Sequence, residues 1–219
     1  MQQILKMPSH FSSHLDYSLL KPTATIEAVE KLCKEAMENN YAAVCVPPLF
    51  VKKAKEFTEG SNVKVAAVIG FPYGYSAIEA KLAEIILAIV DGADELDMVI
   101  NTAALKNNDW QLLAREINTI LPIIRNKQKL IKIIIECSLL TAEEIIKCCD
   151  IYGASGIDYL SLSTGIEASY LDEDIIRFVR KHLADAVGIK LSGNYTNLQK
   201  IDALIQAGAG RIGHFNLVN

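Results

Sequence analysis

GADELDMVIN, residues 92–101, is an apolar run with acidic residues inside it. By strand alternation, Val99 and Asn101 lie on the same side of a strand as Asp97. A carboxylate within an apolar strand is costly to bury unless a cation pairs with it. The stretch therefore predicts a buried strand with Asp97 pointing inward toward a lysine partner.

Similar apolar runs recur along the chain and alternate with amphipathic stretches. They are bulky and β-branched without strict polar alternation, which is typical of parallel strands buried on both faces. We predict strands near Ser13–Asp16, Ala42–Val46, Lys64–Gly70, Glu95–Asn101, Lys132–Cys137, Asp158–Ser163, Gly188–Ser192 and Arg211–Phe215. Between them, Thr25, Ser76 and Thr141 carry helix-start signals, the last two as capping boxes.

Eight strands with helices between them favour a single (β/α)8 TIM barrel of class α/β. The alternative is an open doubly wound sheet, but the glycine-rich GxGxxG turn is absent after the first predicted strand. No linker or shift in composition divides the chain, so we expect one domain over residues 1–219. After Phe215 only NLVN remains, so the eighth helix is expected to be absent or replaced by the segment Gln3–Phe11.

Composition limits the partners of the protein. The chain has 219 residues and a net charge of −4, without the cationic footprint that duplex binding requires, so we expect no nucleic-acid partner. The most apolar stretch, Leu82–Val90, is short and contains Glu84, so no membrane association is expected. Five cysteines without CxxC spacing, and no signal-peptide pattern, favour a reducing cytoplasm.

Sites in parallel barrels form at the carboxyl ends of the strands. At these ends we select Asp16 at the end of the first strand, Asp97 on the fourth and Lys190 on the seventh as candidate polar groups. Lys132 on the fifth strand either extends outward at the amino end or points inward. If it points inward, it pairs with Asp97 or with Glu136. Cys45 is expected to be a packing residue rather than a nucleophile.

Glycine-rich turns follow the seventh and eighth strands. Loops at this place often form the phosphate site of a parallel barrel, because backbone N–H groups are exposed there. We therefore predict an anion site of the phosphate type, made of Ser192, Gly193, Asn194, Gly213 and His214.

Taken together, the motifs resemble the deoxyribose-phosphate aldolase family, in the family's order and over nearly the whole chain. They are LDYSLLKP (15–22), VIGFPYG (68–74), GADELDMVIN (92–101), KIIIE (132–136) with LLT (139–141), STG (163–165) and GIKLSG (188–193). The resemblance implies a class I aldolase barrel without metal or cofactor. Its reaction would be cleavage of 2-deoxyribose 5-phosphate to glyceraldehyde 3-phosphate and acetaldehyde, and a homodimer is expected.

The family's mechanism uses a sixth-strand lysine that forms a Schiff base. A seventh-strand lysine depresses the pKa of that amine, and a fourth-strand aspartate transfers protons. Lys190 and Asp97 match the last two roles, while Lys132 and Asp16 match further charged positions of the same site. The Schiff-base position is Ser161, whose hydroxyl cannot form an imine.

Further departures lie in the predicted anion site. His214-Phe215 replaces small hydroxyl residues of the family, and Asn194-Tyr195 replaces a second glycine and its neighbour.

Two hypotheses about function follow. In the first, the chain is an aldehyde-lyase with a relocated amine, in which Lys190 is the nucleophile, Lys132 its pKa partner and Asp97 the proton relay. In the second, the barrel has altered or lost catalysis and binds a sugar phosphate or another small metabolite. In both, the partner is a small molecule, namely a phosphorylated sugar or an aldehyde.

Overall fold

The computed structural model describes residues 9–166, 171–195 and 197–215, with side chains from residue 11 onward. Eight strands pair in chain order and close into a barrel, with every neighbouring pair parallel. The strands are β1 Leu15–Ser18, β2 Ala43–Val46, β3 Lys64–Ile69, β4 Glu95–Val99, β5 Leu130–Ile134, β6 Tyr159–Ser161, β7 Gly188–Gly193 and β8 Ala209–Phe215. The predicted barrel is confirmed, and the open sheet is excluded because β1 pairs with β8.

One helix precedes β1, and the others lie in the connections between successive strands. They are α1 Ser9–Ser12, α2 Ile26–Glu38, α3 Val51–Phe57, α4 Ile78–Val90, α5 Thr102–Lys106, α6 Trp110–Asn126, α7 Ala142–Ser155, α8 Glu173–Arg180 and α9 Leu198–Gln206, with 3-10 turns at Pro48–Phe50 and Cys137–Leu139. Thr141 begins α7 with the predicted capping box to Glu144. The capping box predicted at Ser76 is wrong, because α4 follows Ala77, which makes no side-chain cap.

Residues 216–219 and most of the segment Gln3–Phe11 lie outside the described residues. The absence or replacement of the eighth helix is therefore still a prediction, as is the single domain over residues 1–219.

Strand alternation separates an apolar layer from a polar interior. Leu96 and Met98 of β4, Ile131 and Ile133 of β5 and Ile189 of β7 point outward into the large apolar cluster under the helices. The residues between them point into the barrel. Near β2 and β3 the interior is apolar, with Cys45, Ala66 and Val68 packed against Leu20 and Phe71. Elsewhere it holds charged side chains.

The turn after β3 runs close to the end of β4. Gly74 has φ +68°, and its N–H donates to the Gly70 carbonyl at 2.7 Å. A Cβ placed on Gly74 would lie 1.8 Å from the Ile100 carbonyl oxygen. Glycine is therefore required at position 74 by both its conformation and its closeness to the neighbouring backbone.

We expect Gly74→Ala to lower the free energy of unfolding more than Gly60→Ala. Gly60 also has a positive φ, +75°, but no atom lies within 4 Å of its added Cβ. Alanine at position 60 should thus lower the free energy of unfolding only through its strained positive φ, by about 1–2 kcal/mol. The Gly74 variant should lose a further ~1–3 kcal/mol because the end of β4 must move. Urea unfolding measures both, and equal losses would contradict the close approach.

Candidate functional site

Six charged side chains meet inside the barrel, and we call them the interior charge network. Three are carboxylates and three are cations, contributed by β1, β4, β5, β7 and β8. They are Asp16, Glu95, Asp97, Lys132, Lys190 and Arg211, all at most 9 % exposed. Such charges are tolerated away from water only when each is paired, and the numbers of the two signs match.

Lys190 is bound between two carboxylates. Its Nζ lies 2.5 Å from Asp97 Oδ2 and 2.6 Å from Asp16 Oδ2. Burial disfavours the ammonium form, but the negative charges of Asp16 and Asp97 outweigh it, and the pKa of Lys190 is raised above its ordinary value. Lys190 is therefore an ammonium ion at neutral pH.

Lys132 points inward, which decides between the alternatives left open by the sequence. Its Nζ lies 2.8 Å from Asp97 Oδ1 and 2.6 Å from Glu95 Oε2, and it also reaches Asp16 Oδ2 at 3.0 Å. Burial again disfavours the charge, but the carboxylates prevail and raise the pKa of Lys132 well above its ordinary value. Glu136 is not among its partners.

Arg211 and Glu95 complete the network and were not among the residues selected from the sequence. Arg211 Nε donates to Asp16 Oδ1 and its Nη2 donates to Glu95 Oε2, both at 2.7 Å. The sequence contains a weak indication that each of these two residues points into the barrel. Glu95 precedes Asp97 by two positions on the same side of β4, and Arg211 is a lone cation in a glycine-rich strand.

The Asp16 and Asp97 carboxyls respond to the surrounding cations. Burial would raise their pKa, but the ammonium groups of Lys132 and Lys190 outweigh burial. The pKa of both carboxyls therefore lies below the ordinary value. Both carboxyls are therefore ionised at neutral pH in the folded protein.

Ser161 ends β6 beside Lys190, its register partner on β7. Its side chain is fully buried, and its hydroxyl donates a long hydrogen bond of 3.4 Å to the Ser163 carbonyl. The structure thus places a small neutral side chain in the barrel at the position where the family resemblance implies the reactive amine.

Cys45 lies in the interior, with Sγ 4.0 Å from Asp97 Oδ2. Burial, with a contribution from Asp97, raises the pKa of this thiol to about 12. A thiol of this kind is unreactive at neutral pH, which agrees with a packing role.

The predicted anion site lies where β7 pairs with β8, with Ser192 opposite Gly213 and Gly193 opposite His214. Two aromatic rings cover the glycines of this region. A Cβ on Gly165 would lie 2.1 Å from the Phe215 ring, and one on Gly193 would lie 3.0 Å from the Tyr195 ring. Asn194 is exposed, while Ser192 packs over Gly213.

His214 adds no positive charge to this region. Its ring stacks on Tyr17 at a centroid distance of 6.0 Å, and burial lowers the pKa of the imidazole. Within residues 188–195 and 209–215 the lysine and arginine side chains are Lys190 and Arg211, and both already bind carboxylates. The five predicted residues are near one another, but they bring no unpaired lysine or arginine to a phosphate.

A cavity of about 210 Å³ opens at the carboxyl ends of β3 to β6, and we call it the mouth cavity. Six of its lining residues are apolar or aromatic, two are threonines and one is acidic. They are Pro72, Tyr73, Tyr75, Thr102, Ala103, Glu136, Leu139, Thr164 and Ile166. No lysine is among these described lining residues, and neither is any member of the interior charge network.

A family model described as DeoC/LacD family aldolase matches residues 6–214. The chain belongs to this family. It is 41 % identical over 207 residues to the deoxyribose-phosphate aldolase of Lysinibacillus sphaericus, covering 94 % of this chain and 92 % of that protein. Its identity to the deoxyribose-phosphate aldolase of Clostridium perfringens is 40 % over 212 residues, which cover 97 % of this chain and 91 % of that protein.

Solved structures agree with this assignment. The deoxyribose phosphate aldolase of Aeropyrum pernix, described as a unique tetramer, superposes with a TM-score of 0.87 at 28 % identity, covering 95 % of this chain and 88 % of that one. The aldolase QR15 gives a TM-score of 0.86 at 31 % identity, with 98 % and 92 % covered. The family resemblance drawn from the motifs is thus confirmed.

The described residues lack two kinds of feature. They contain no helix long and apolar enough to cross a membrane. They also contain no group of three or more His, Cys, Asp or Glu side chains arranged to hold a metal ion.

We expect Lys132→Met to lower the free energy of unfolding by about 3–5 kcal/mol, because three buried carboxylates would then face two cations. Lys53→Met is the matched control. Lys53 pairs with Glu56 on the surface with both side chains about half exposed, so its loss should cost less than about 1 kcal/mol. Urea unfolding of both variants measures the difference, and similar losses would argue against a tightly paired interior network.

The lowered pKa values of Asp16 and Asp97 predict acid sensitivity. A carboxyl with a depressed folded-state pKa adds stability above its unfolded value, ordinarily about 3.8. That stability is lost as the pH falls toward the folded value. In urea titrations from pH 6 to pH 2, the free energy of unfolding of Asp97→Asn should therefore fall less steeply with decreasing pH than that of the wild type. Asp174→Asn, at an 88 % exposed side chain, should follow the wild type, and parallel curves for all three proteins would contradict the assignment.

Proposed function

We propose that this chain is an aldolase-family barrel that binds a small organic molecule at its mouth and does not perform class I aldol cleavage. The observation that carries the proposal is the charge balance around Lys190. Its side chain is 2 % exposed, and its amine binds two carboxylates at 2.5 and 2.6 Å. An amine must be neutral to attack a carbonyl, and this one is held as the ammonium ion.

The charge balance also explains how serine at position 161 affects reactivity. Asp16, Glu95 and Asp97 neutralise the three cations already present. A fourth amine beside Lys190 would have no carboxylate of its own and would lower its energy by releasing a proton. The Schiff-base lysine of the family would be that amine. With serine at position 161, the network contains no surplus amine to become the nucleophile.

The mouth cavity supports a binding role. It has room for a small molecule, and concave, largely apolar sites with a few polar groups are typical of ligand pockets. Its threonine hydroxyls and the Glu136 carboxylate supply the polar contacts. The ligand in this proposal is a small aldehyde, sugar derivative or other metabolite.

A second candidate is deoxyribose-phosphate aldolase activity with Lys190 as the relocated amine. Relatives named deoxyribose-phosphate aldolase at about 40 % identity over more than 90 % of the chain favour it. The retained contact between Lys190 and Asp97 is consistent with it, because Asp97 could take the ammonium proton before the amine attacks. This candidate requires the Lys190 pKa to fall when substrate binds.

The remaining parts of the proposal concern assembly and location. We propose a homodimer in the cytoplasm; the tetramer described for the Aeropyrum pernix relative supports self-association in the family. Light scattering of the purified chain tests the oligomeric state.

Borohydride trapping tests the proposed function. The wild type incubated with acetaldehyde and reduced should show no adduct in the barrel, whereas Ser161→Lys should gain one at position 161 because its amine is the surplus cation. Ser155→Lys, at the end of α7, is the control for an added lysine outside the barrel. Peptide mass spectrometry locates the adduct.

Deoxyribose 5-phosphate should also release no acetaldehyde in the presence of the wild type. An adduct on Lys190, abolished in Lys190→Ala and accompanied by acetaldehyde release, would overturn the proposal in favour of the second candidate. Failure of Ser161→Lys to form an adduct while folded would contradict the charge-balance explanation.

A further inference from the structure

Glu136 is a buried acid that the interior charge network does not use. It follows β5, and its side chain lines the mouth cavity with the residue 3 % exposed. Its Oε2 accepts hydrogen bonds from the Thr164 backbone N–H at 2.8 Å and the Thr164 hydroxyl at 2.5 Å, and its Oε1 accepts one from the Ser138 hydroxyl at 2.7 Å. All three groups donate, so both Glu136 oxygens serve as hydrogen-bond acceptors.

These donors are neutral, and this distinguishes Glu136 from the carboxylates of the interior. Among the described residues, no lysine or arginine lies within 4 Å of its oxygens, whereas Asp16 contacts three cations. A buried carboxylate without a counterion is costly. The uncompensated charge lies at the wall of a cavity, where a ligand could neutralise it.

Aromatic rings lie on another wall of the same cavity. Tyr73 and Tyr75, on the turn after β3, stack at a centroid distance of 5.7 Å with ring planes 8° apart. They are 53 % and 67 % exposed, so ring surface is available to a ligand. The face of an aromatic ring carries negative charge density and attracts cations. The rings and the carboxylate therefore both favour a positively charged ligand.

Apolar side chains of the cavity are available to contact an uncharged part of the ligand. Leu139 and Ile166 line the cavity and are 46 % and 49 % exposed, so part of each side chain is available to a ligand. The Thr102 and Thr164 side chains also line the cavity. A ligand with one charged head and a compact hydrocarbon part fits this distribution.

We propose that the mouth cavity binds a small organic ammonium, with the charged nitrogen toward Glu136 and the tyrosine rings and the hydrocarbon part against Leu139 and Ile166. This inference rests on the proposed function, because it names the ligand class for the same cavity. Its ligand need not carry a phosphate, which agrees with the pairing of Lys190 and Arg211 to carboxylates beside the predicted anion site.

Three probes of similar shape test the charge preference: benzylamine, benzyl alcohol and benzoate. Titration calorimetry should show benzylamine binding about ten-fold or more tighter than benzyl alcohol, since a charge-assisted contact is worth that much. Benzoate should not bind. Methyl NMR should place the benzylamine at Leu139 and Ile166.

Variants separate the two recognition elements. Glu136→Gln should reduce benzylamine affinity to that of benzyl alcohol, whereas Glu173→Gln, at a surface pair with Lys200, should leave affinity unchanged. Tyr75→Leu should weaken benzylamine several-fold without changing the fold. If Glu136→Gln does not fold, the wild-type probe ranking and the tyrosine variant still decide the question.

The outcomes distinguish this inference from the proposed function. Equal or tighter binding of benzyl alcohol or benzoate would overturn the ammonium assignment while leaving a ligand-binding mouth. Absence of benzylamine shifts at Leu139 and Ile166 would also overturn it. Aldol cleavage by the wild type would instead overturn the proposed function, whichever probe binds the cavity.

Discussion

The structure depends on the balance of three carboxylates against three cations inside a closed barrel. Ion pairs of this network join five of the eight strands across the interior, with Asp16 of β1 contacting cations from β5, β7 and β8. Removing these charges from water is costly, and the cost is offset only if each charge finds partners of opposite sign. The network therefore constrains which side chains the interior can hold.

This constraint connects the fold to reactivity. Family membership is shown by the matches to known aldolases, and the barrel of this chain encloses the interior charge network. The reactive amine expected from the resemblance is the residue that this chain lacks. Because Ser161 is neutral, the interior has no surplus cation, and Lys190 remains an ammonium between Asp97 and Asp16. The proposed ligand site is then the mouth cavity, which differs from the interior charge network because its charged lining residue is Glu136.

Much of this arrangement could be predicted from local sequence. Apolar runs predicted all eight strands, and an acid within an apolar strand predicted an inward Asp97 with a lysine partner. Ion pairs across the barrel are harder to predict from local sequence, because Arg211 and Glu95 are 116 positions apart in the chain. The false capping box at Ser76 shows that a motif alone does not fix where a helix begins. The rings of Phe215 and Tyr195 over the glycine turns, and the mouth cavity built from four loops, depend on tertiary packing.

The most direct test of the account is the titration of the Lys190 amine itself. Nitrogen-15 NMR of the lysine side chains, with the Lys190 signal assigned through Lys190→Arg, follows its protonation against pH. Lys190 should stay an ammonium at neutral pH and titrate above the ordinary lysine value of 10.5. A Lys190 amine that loses its proton near neutral pH in the wild-type protein would contradict the account.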